Sequence, residues 1–166
     1  AIYFFYWKSD GKQNSIENDK FIFFEINDAS QLFDIDSNKQ QEYKKRLEDG
    51  HVFCCLKAGD FLSSYGWINP TSSHFFGELN LKTNYPNTIE VLYDFYTYED
   101  YRGQGLYPLL LKKICLRNNK TKIGYALSDN LSSMKGLKKA DFKLLAVIKG
   151  YNKGRLERLL KKIWVK

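Results

Sequence analysis

Residues 90–117, EVLYDFYTYEDYRGQGLYPLLLKKICLR, constrain the fold more than any other stretch of this chain. The first part, residues 90–98, is dense in β-branched and aromatic side chains and predicts a buried strand. Arg102-Gly103-Gln104-Gly105 follows as a turn with two closely spaced glycines. After it, Leu106, Leu109, Leu110 and Ile114 recur at helical spacing, and Pro108 falls in the first turn, where a helix tolerates it. A strand, a glycine loop and a helix start together aim backbone N–H groups at an anion, because the first amides of a helix have no partner within it. Glycine lets the chain wrap closely where a Cβ would collide with a phosphate.

Two common phosphate loops are excluded. A P-loop needs a lysine followed by Ser or Thr after its last glycine, and this stretch supplies neither. A dinucleotide fingerprint needs a third glycine where Pro108 stands, and it opens a domain, whereas this loop lies past the middle of the chain. What remains is RGxG after a late strand, for which an ordinary glycine turn is the competing reading. Residues 129–142, DNLSSMKGLKKADF, carry a second pattern: an Asn, a small residue three positions later, a helix, and a Phe opening the next strand. Asn130, Ser133 and Phe142 occupy those positions in register.

With both patterns in order, the chain resembles the GNAT superfamily of acyl-CoA N-acyltransferases, well over residues 50–149 and poorly over the first forty or so. The resemblance implies an α/β (α+β) fold: a mixed, mostly antiparallel central sheet flanked by helices, with splayed central strands, in one domain spanning residues 1–166. It implies acetyl-CoA as acyl donor and a primary amine as acceptor. The strand around Phe95, Tyr96 and Thr97 would bond the pantetheine arm, and the loop of Arg102, Gly103, Gln104, Gly105, Leu106 and Tyr107 would take the pyrophosphate. Asn130 and Ser133 would complete the cofactor site. For Arg102 the competing reading is an ordinary surface arginine. Three positions depart from the family. Asp100 stands where Gln or Arg is frequent, Tyr107 replaces a small residue, and Leu137 replaces a tyrosine that protonates the departing thiolate in many members. A thiol with a pKa of ~8.5 leaves tolerably unassisted, so the last loss is not fatal to catalysis.

The charge distribution agrees with an anionic ligand. Residues 1–100 hold nine Lys/Arg against sixteen Asp/Glu, a net −7, and residues 101–166 hold seventeen against three, a net +14. The basic part carries the glycine loop, and its field would draw in a polyanion such as CoA. A lysine-rich solvated surface explains the same charge. A nucleic-acid-binding module is a third reading, but no recognition motif supports it, and no nucleic-acid partner is expected. The 166 residues are enough for a sizeable single core. No apolar run reaches membrane-spanning length, and no signal-peptide pattern opens the chain, so no membrane partner and a cytoplasmic location are expected. Cys54 and Cys55 are adjacent in a strand-like run and should face opposite sides, and nothing has metal-ligand spacing, so reduced structural thiols and no metal are expected.

Along the chain, residues 2–7 and 21–26 read as two strands joined by a polar, glycine-containing connection. Residues 29–47 read as one or two helices, with a break possible at Ser37-Asn38 and a stop at Gly50. Residues 52–57 and 61–68 form a hairpin around Gly59-Asp60. Residues 75–81 predict a further strand, 122–127 a short one after the helix, and 142–148 another. Asp129 or Asn130 caps the helix between the last two. Over residues 153–166, Leu156, Leu159, Leu160 and Ile163 recur at helical spacing, whereas the family usually ends in a strand; both alternatives stand.

For the base that takes the ammonium proton, acidic residues on the central strand are the natural candidates. Asp94, set among Tyr93, Phe95 and Tyr96, is the first; burial there would raise its pKa, and a carboxylate bonded into a tyrosine cluster is the competing reading. Glu90 is the second, against a solvated strand-start glutamate. His74 and Glu78 lie on or beside the preceding strand, within reach of an acceptor or simply on the surface. The sequences YDFYT and YRGQGLYP are most similar to bacterial GNAT members associated with surface-polysaccharide synthesis, which implies an amino-sugar nucleotide as acceptor; a protein N-terminus, a lysine and a polyamine stay open. A catalytically silent acyl-CoA-binding domain is the alternative that Leu137 and Asp100 favour.

Overall fold

The computed structural model describes residues 1–11, 16–32, 35–149 and Arg158. In chain order the elements are β1 (Ile2–Trp7), β2 (Ile22–Ile26), a 3-10 turn (Ala29–Gln31), α1 (Ser37–Glu48), β3 (Val52–Ala58) and β4 (Phe61–Asn69). There follow β5 (Ser73–Phe76), a 3-10 turn (Gly77–Leu79), β6 (Leu81–Asn84), β7 (Ile89–Thr97) and a 3-10 turn (Glu99–Tyr101). The last are α2 (Leu106–Cys115), β8 (Thr121–Leu127), α3 (Leu131–Lys139) and β9 (Lys143–Ile148). The helical spacing seen over 153–166 falls outside the described residues, as does Phe33 of the 29–47 segment.

Seven strands form one sheet in the order β2-β3-β4-β7-β8-β1-β9. Neighbours run antiparallel except β7 and β8, which run parallel. The two aromatic strands at the start of the chain do not pair. β1 is apolar on both faces, with Phe4 and Phe5 each fully buried, and such a strand needs cover on both sides. It fills the slot between β8 and β9, which the β8–α3–β9 crossover leaves one strand wide. β2, with Ile22 and Phe24 exposed, forms the sheet edge.

The predicted strand over 75–81 is not one strand of the sheet. β5 and β6 form a separate two-stranded ribbon, turned by the Gly77–Leu79 segment and by Asn80 in the left-handed region. The expected helical segment at 29–47 divides earlier than Ser37: Asp36 caps α1 by accepting from the Asn38 amide at 3.0 Å. The helix ends where the His51 amide donates to the Arg46 carbonyl at 2.9 Å and the Gly50 amide to that of Leu47 at 3.0 Å, the paired closure that a glycine stop makes.

Each face of the sheet buries its own core. On one, Phe5, Leu56 and Leu92 pack against Leu110, Ile114 and Leu137 of α2 and α3. On the other, α1 covers Phe53, Tyr65 and Trp67, while the β5–β6 ribbon covers Phe4, Val91 and Ile123. Each such apolar side chain contributes about 1.5–3 kcal/mol on burial. Cys54 and Cys55 fall on opposite faces, and both are free thiols, as is Cys115.

Where β7 and β8 pair, Glu90 lies directly across from Lys122. The Lys122 ammonium, fully buried, sits 3.1 Å from the Glu90 carboxylate, and the Arg117 guanidinium sits 3.5 Å from it. Arg117 also grips Glu25 through Nε at 2.6 Å and Nη2 at 3.0 Å. Burial pulls the Lys122 pKa below its ordinary value, and Glu90 opposes that shift. Removing the acid from a buried pair strands its cations. We therefore expect Glu90→Gln to lower stability by about 3 kcal/mol in urea unfolding, and Lys122→Met added to it to restore most of that loss.

Candidate functional site

Pairing between β7 and β8 runs from Ile89↔Thr121 to Leu92↔Gly124 and stops. Beyond that point β7 keeps only β4 as a neighbour, and β8 keeps only β1. A bulge sets the parting. Tyr65 pairs with Tyr96 and Trp67 with Tyr93, so Asp94 and Phe95 together oppose Gly66 alone. The extra residue turns β7 away, and Asp94 takes the left-handed φ of 52° that the turn requires. Gly66 makes the bulge possible: a Cβ there would stand 2.2 Å from the Phe95 ring, which occupies that space.

Three connected spaces follow from the parting. A groove of about 510 Å³ is bordered by Phe95, Tyr96 and Thr97 of β7, by the loop and first turn of α2, and by α3. Gly103 and Gly105 bound it with φ of 77° and 73°, values a residue with a Cβ rarely adopts. Gly105 caps α2 without a side-chain bond, so the first helical amides keep their free N–H groups and their positive potential. Arg102, Lys135 and Lys139 put three cations around the same space. Arg102 also donates from Nε to the Thr97 carbonyl at 3.1 Å.

The groove narrows to a waist of about 210 Å³ between the parted strands, walled by Phe95, Tyr107, Asn130, Ser133 and Leu137 on one side and by Glu78, Tyr93, Asp94 and Tyr125 on the other. Asn130 caps α3 by accepting from the Ser133 amide at 3.0 Å. The Tyr107 ring rests on Gly136, where a Cβ would come within 2.1 Å, and meets the Phe95 ring edge-on at 5.2 Å. Its hydroxyl lies 3.2 Å from Ser133 Oγ, and burial pushes its pKa up to about 12. Leu137 packs over Gly124 and presents only hydrocarbon to the waist.

Past the waist, an outer pocket of about 480 Å³ opens between α1 and the β5–β6 ribbon, and Tyr93, Asp94, Glu78 and Tyr125 border both spaces. Arg46 dominates it. Its guanidinium lies 5.0–5.1 Å from the ring centres of Tyr43, Trp67 and Tyr93, bridges Asp94 through Nη1 at 2.6 Å and contacts Glu42. His74, 5% exposed, forms the inner wall. Burial, with smaller contributions from His51 and Arg46, depresses its pKa from 6.5 to about 3, so it is a neutral imidazole at ordinary pH.

The structure thus gathers Phe95, Tyr96, Thr97, Arg102, Gly103, Gly105, Leu106, Tyr107, Asn130 and Ser133 around one groove. Gln104 does not border it and instead accepts from Lys20 Nζ at 3.1 Å. Asp94 stands at the junction of waist and outer pocket, but the expected burial among aromatics is not what forms there: its side chain is 37% exposed and held by Arg46. Glu90 is neither solvated nor at the site; it lies at the far, paired end of β7 in the buried ion-pair cluster. His74 is buried rather than on the surface, and Glu78 lines the waist. Sequence reasoning missed Lys135, Lys139, Tyr125 and Arg46. The four-residue spacing of the two lysines on α3 was their one visible signal, since it puts both on one helix face.

No protein-family model and no curated protein matches this chain. Its fold matches solved GNAT structures. A GNAT-family acetyltransferase from Colwellia psychrerythraea superposes with a TM-score of 0.57 at 16% identity, over 87% of this chain and 53% of that one. The chain therefore spans about half the length of that relative. An aminoglycoside acetyltransferase from an uncultured soil metagenomic sample, in complex with sisomicin, gives 0.54 at 8% identity, over 80% of this chain and 96% of that one. The yncA protein of Salmonella typhimurium, with its cofactor acetyl-CoA, gives 0.52 at 13% identity, over 81% and 89%. These likenesses establish a GNAT fold.

Two expectations follow from the geometry. Gly66→Ala drives the Phe95 ring off its seat, an overpacking cost of about 1–3 kcal/mol, seen as a fall in melting temperature. His74 binds its proton more weakly when folded than when unfolded, so its contribution to stability is complete above about pH 6.5 and is lost as the pH falls toward about 3. Urea unfolding should show His74→Gln losing less stability than the wild type over that window, by up to about 1.4 kcal/mol per pH unit.

Proposed function

We propose that this protein is an acetyl-CoA-dependent N-acetyltransferase that moves the acetyl group to a primary amine by direct attack. The observation that carries the proposal is the parting of β7 from β8, which joins a cationic groove on one face of the sheet to an aromatic pocket of mixed charge, with Asp94 and Glu78 at its inner end, on the other. The diphosphate of CoA meets the amides at the start of α2 and the charge of Arg102, and Lys135 and Lys139 supply the positive charge that Asp100 withholds. The pantetheine arm bonds the unpaired edge of β7 at Phe95–Thr97, with Asn130 and Ser133 closing over it. The thioester then lies in the waist, where a backbone N–H of β7 polarises its carbonyl.

The acceptor enters from the outer pocket as an ammonium ion. Asp94, with Glu78 beside it, receives that charge at the junction, and Asp94 takes the proton that frees the nitrogen lone pair. Arg46 holds the Asp94 carboxylate in place, so the base acts from a fixed position. An amino sugar, the acceptor suggested by residues 93–108, suits a pocket walled by Tyr93, Tyr125 and Phe75, whose rings can pack on sugar C–H faces. Leu137 favours a second reading, a domain that binds acyl-CoA without turnover.

The deciding experiment incubates the protein with acetyl-CoA and a panel of amines that includes amino sugars, and follows release of free CoA. Turnover on at least one amine is expected; CoA binding without turnover on any would select the silent domain. Asp94→Asn should leave CoA affinity unchanged and lower kcat by about 10²–10⁴, and unchanged turnover would remove Asp94 from the mechanism. Lys135→Ala with Lys139→Ala should weaken CoA binding at least tenfold, about 1.4 kcal/mol or more, by calorimetry.

A further inference from the structure

Resting on that reading, we propose that Tyr125 is the proton donor to the departing thiolate and that His74 positions it. Three phenols border the waist: Tyr93, Tyr107 and Tyr125. Their hydrogen bonds are not equivalent. Tyr107 shares a contact with Ser133 in which either oxygen can donate, and Tyr93 contacts a ring nitrogen of His51 whose role depends on its tautomer. For Tyr125 the direction is fixed by a chain that starts on the backbone.

The Thr71 amide donates to Asn69 Oδ1 at 3.0 Å, and the Thr71 hydroxyl donates to the same atom at 2.7 Å. That sets the Asn69 amide: Nδ2 faces the other way, donating to the Ser73 carbonyl at 2.8 Å and to His74 Nδ1 at 3.1 Å. His74 Nδ1 is therefore an acceptor, and a neutral imidazole with an unprotonated Nδ1 carries its hydrogen on Nε2. Nε2 lies 3.4 Å from the Tyr125 hydroxyl. The ring thus donates to Tyr125 and the phenol oxygen accepts, so the contact leaves the phenol proton unused on a side chain that borders the waist. Ring contacts fix both partners. His74 packs edge-on to Phe76 and Tyr93, at 4.7 and 4.9 Å between centres, and Tyr125 packs against Phe76 at 5.0 Å and Phe4 at 5.9 Å.

Of the two protons the ammonium nitrogen gives up, Asp94 takes the first and passes it to solvent, and the second restores the acid. As the amine nitrogen bonds to the acyl carbon and the C–S bond breaks, the bond pair goes to sulfur. The Tyr125 proton follows it to give the thiol. The phenolate left behind takes the remaining excess proton from the new amide nitrogen, and the neutral amide leaves with the phenol restored. No co-reactant beyond the thioester and the amine is needed.

The test compares the wild type, Tyr125→Phe, His74→Ala and His74→Gln with acetyl-CoA and with its selenium analogue, acetyl-seleno-CoA. A selenol is a stronger acid than a thiol, so its anion leaves without a proton. We expect Tyr125→Phe to lose about 100-fold in kcat with acetyl-CoA, the lower part of what a positioned acid supplies, with KM within about twofold and unchanged CoA affinity. With the selenoester most of that loss should disappear. His74→Ala should show part of the same thioester-specific loss, and His74→Gln, whose amide can still donate to the phenol, less of it. Equal losses with both esters, or none, would overturn the assignment while leaving the acetyltransferase reading intact. A wild type that binds CoA and acetylates no amine would overturn both.

Discussion

The separation of two parallel strands at a fixed point is the constraint on which the rest of this molecule depends. Strands part cheaply only when each keeps a second neighbour, and both do here. β7 stays paired to β4 through Thr97, and β8 stays paired to β1 through Leu127. Leu92↔Gly124 marks the last contact between them, and the bulge opposite Gly66 makes the divergence abrupt. The gap is therefore a stable feature of the sheet and not a frayed end.

Charge is distributed to match. Away from the parting, Glu90, Lys122 and Arg117 form a buried cluster across the second rung of the paired stretch of β7 and β8. At the open end the charges line cavities instead: Arg102, Lys135 and Lys139 on the helix side, Asp94, Glu78 and Arg46 on the other. The two groups do different work. Buried ions that satisfy one another fix the register of the strands and are costly to disturb. Ions that border a cavity add to the field inside it instead.

Much of this was legible in the sequence because its causes are local. Alternation and turn residues gave the 52–68 hairpin, the 90–98 strand and the helix behind Gly103 and Gly105, and the Asn130 cap came from side-chain chemistry within one turn. Pairing between distant segments was not legible. Nothing near residues 2–7 states that they lie between β8 and β9; only their double-sided aromatic character hinted at an interior strand. The bulge was hidden because Asp94, rather than a glycine, bears the left-handed backbone, while the glycine it needs stands across the sheet at 66. An isolated glycine inside an apolar strand is the usual sign of such a close approach. Glu90 alone read equally as a solvated strand-start glutamate, and only the register that pairs it with Lys122 shows why both are buried.

The aromatic wall of the waist shows how the residue at 137 is linked to its neighbours. Leucine at 137 leaves α3 without a phenol and packs down on Gly124. Tyr107, entering from α2, takes the space above Gly136, so a tyrosine ring reaches the same region from the neighbouring helix. Its hydroxyl, however, turns to Ser133 at the start of α3, and that contact serves the helix end as much as the cavity. On the opposite side of the waist Tyr125 is carried by β8 itself, the strand whose departure from β7 creates the space. There its ring packs against Phe4 and Phe76, and its hydroxyl meets His74 at 3.4 Å. Leu137 and Tyr125 therefore reach the same gap from opposite faces of the sheet, which is the rigid element between them.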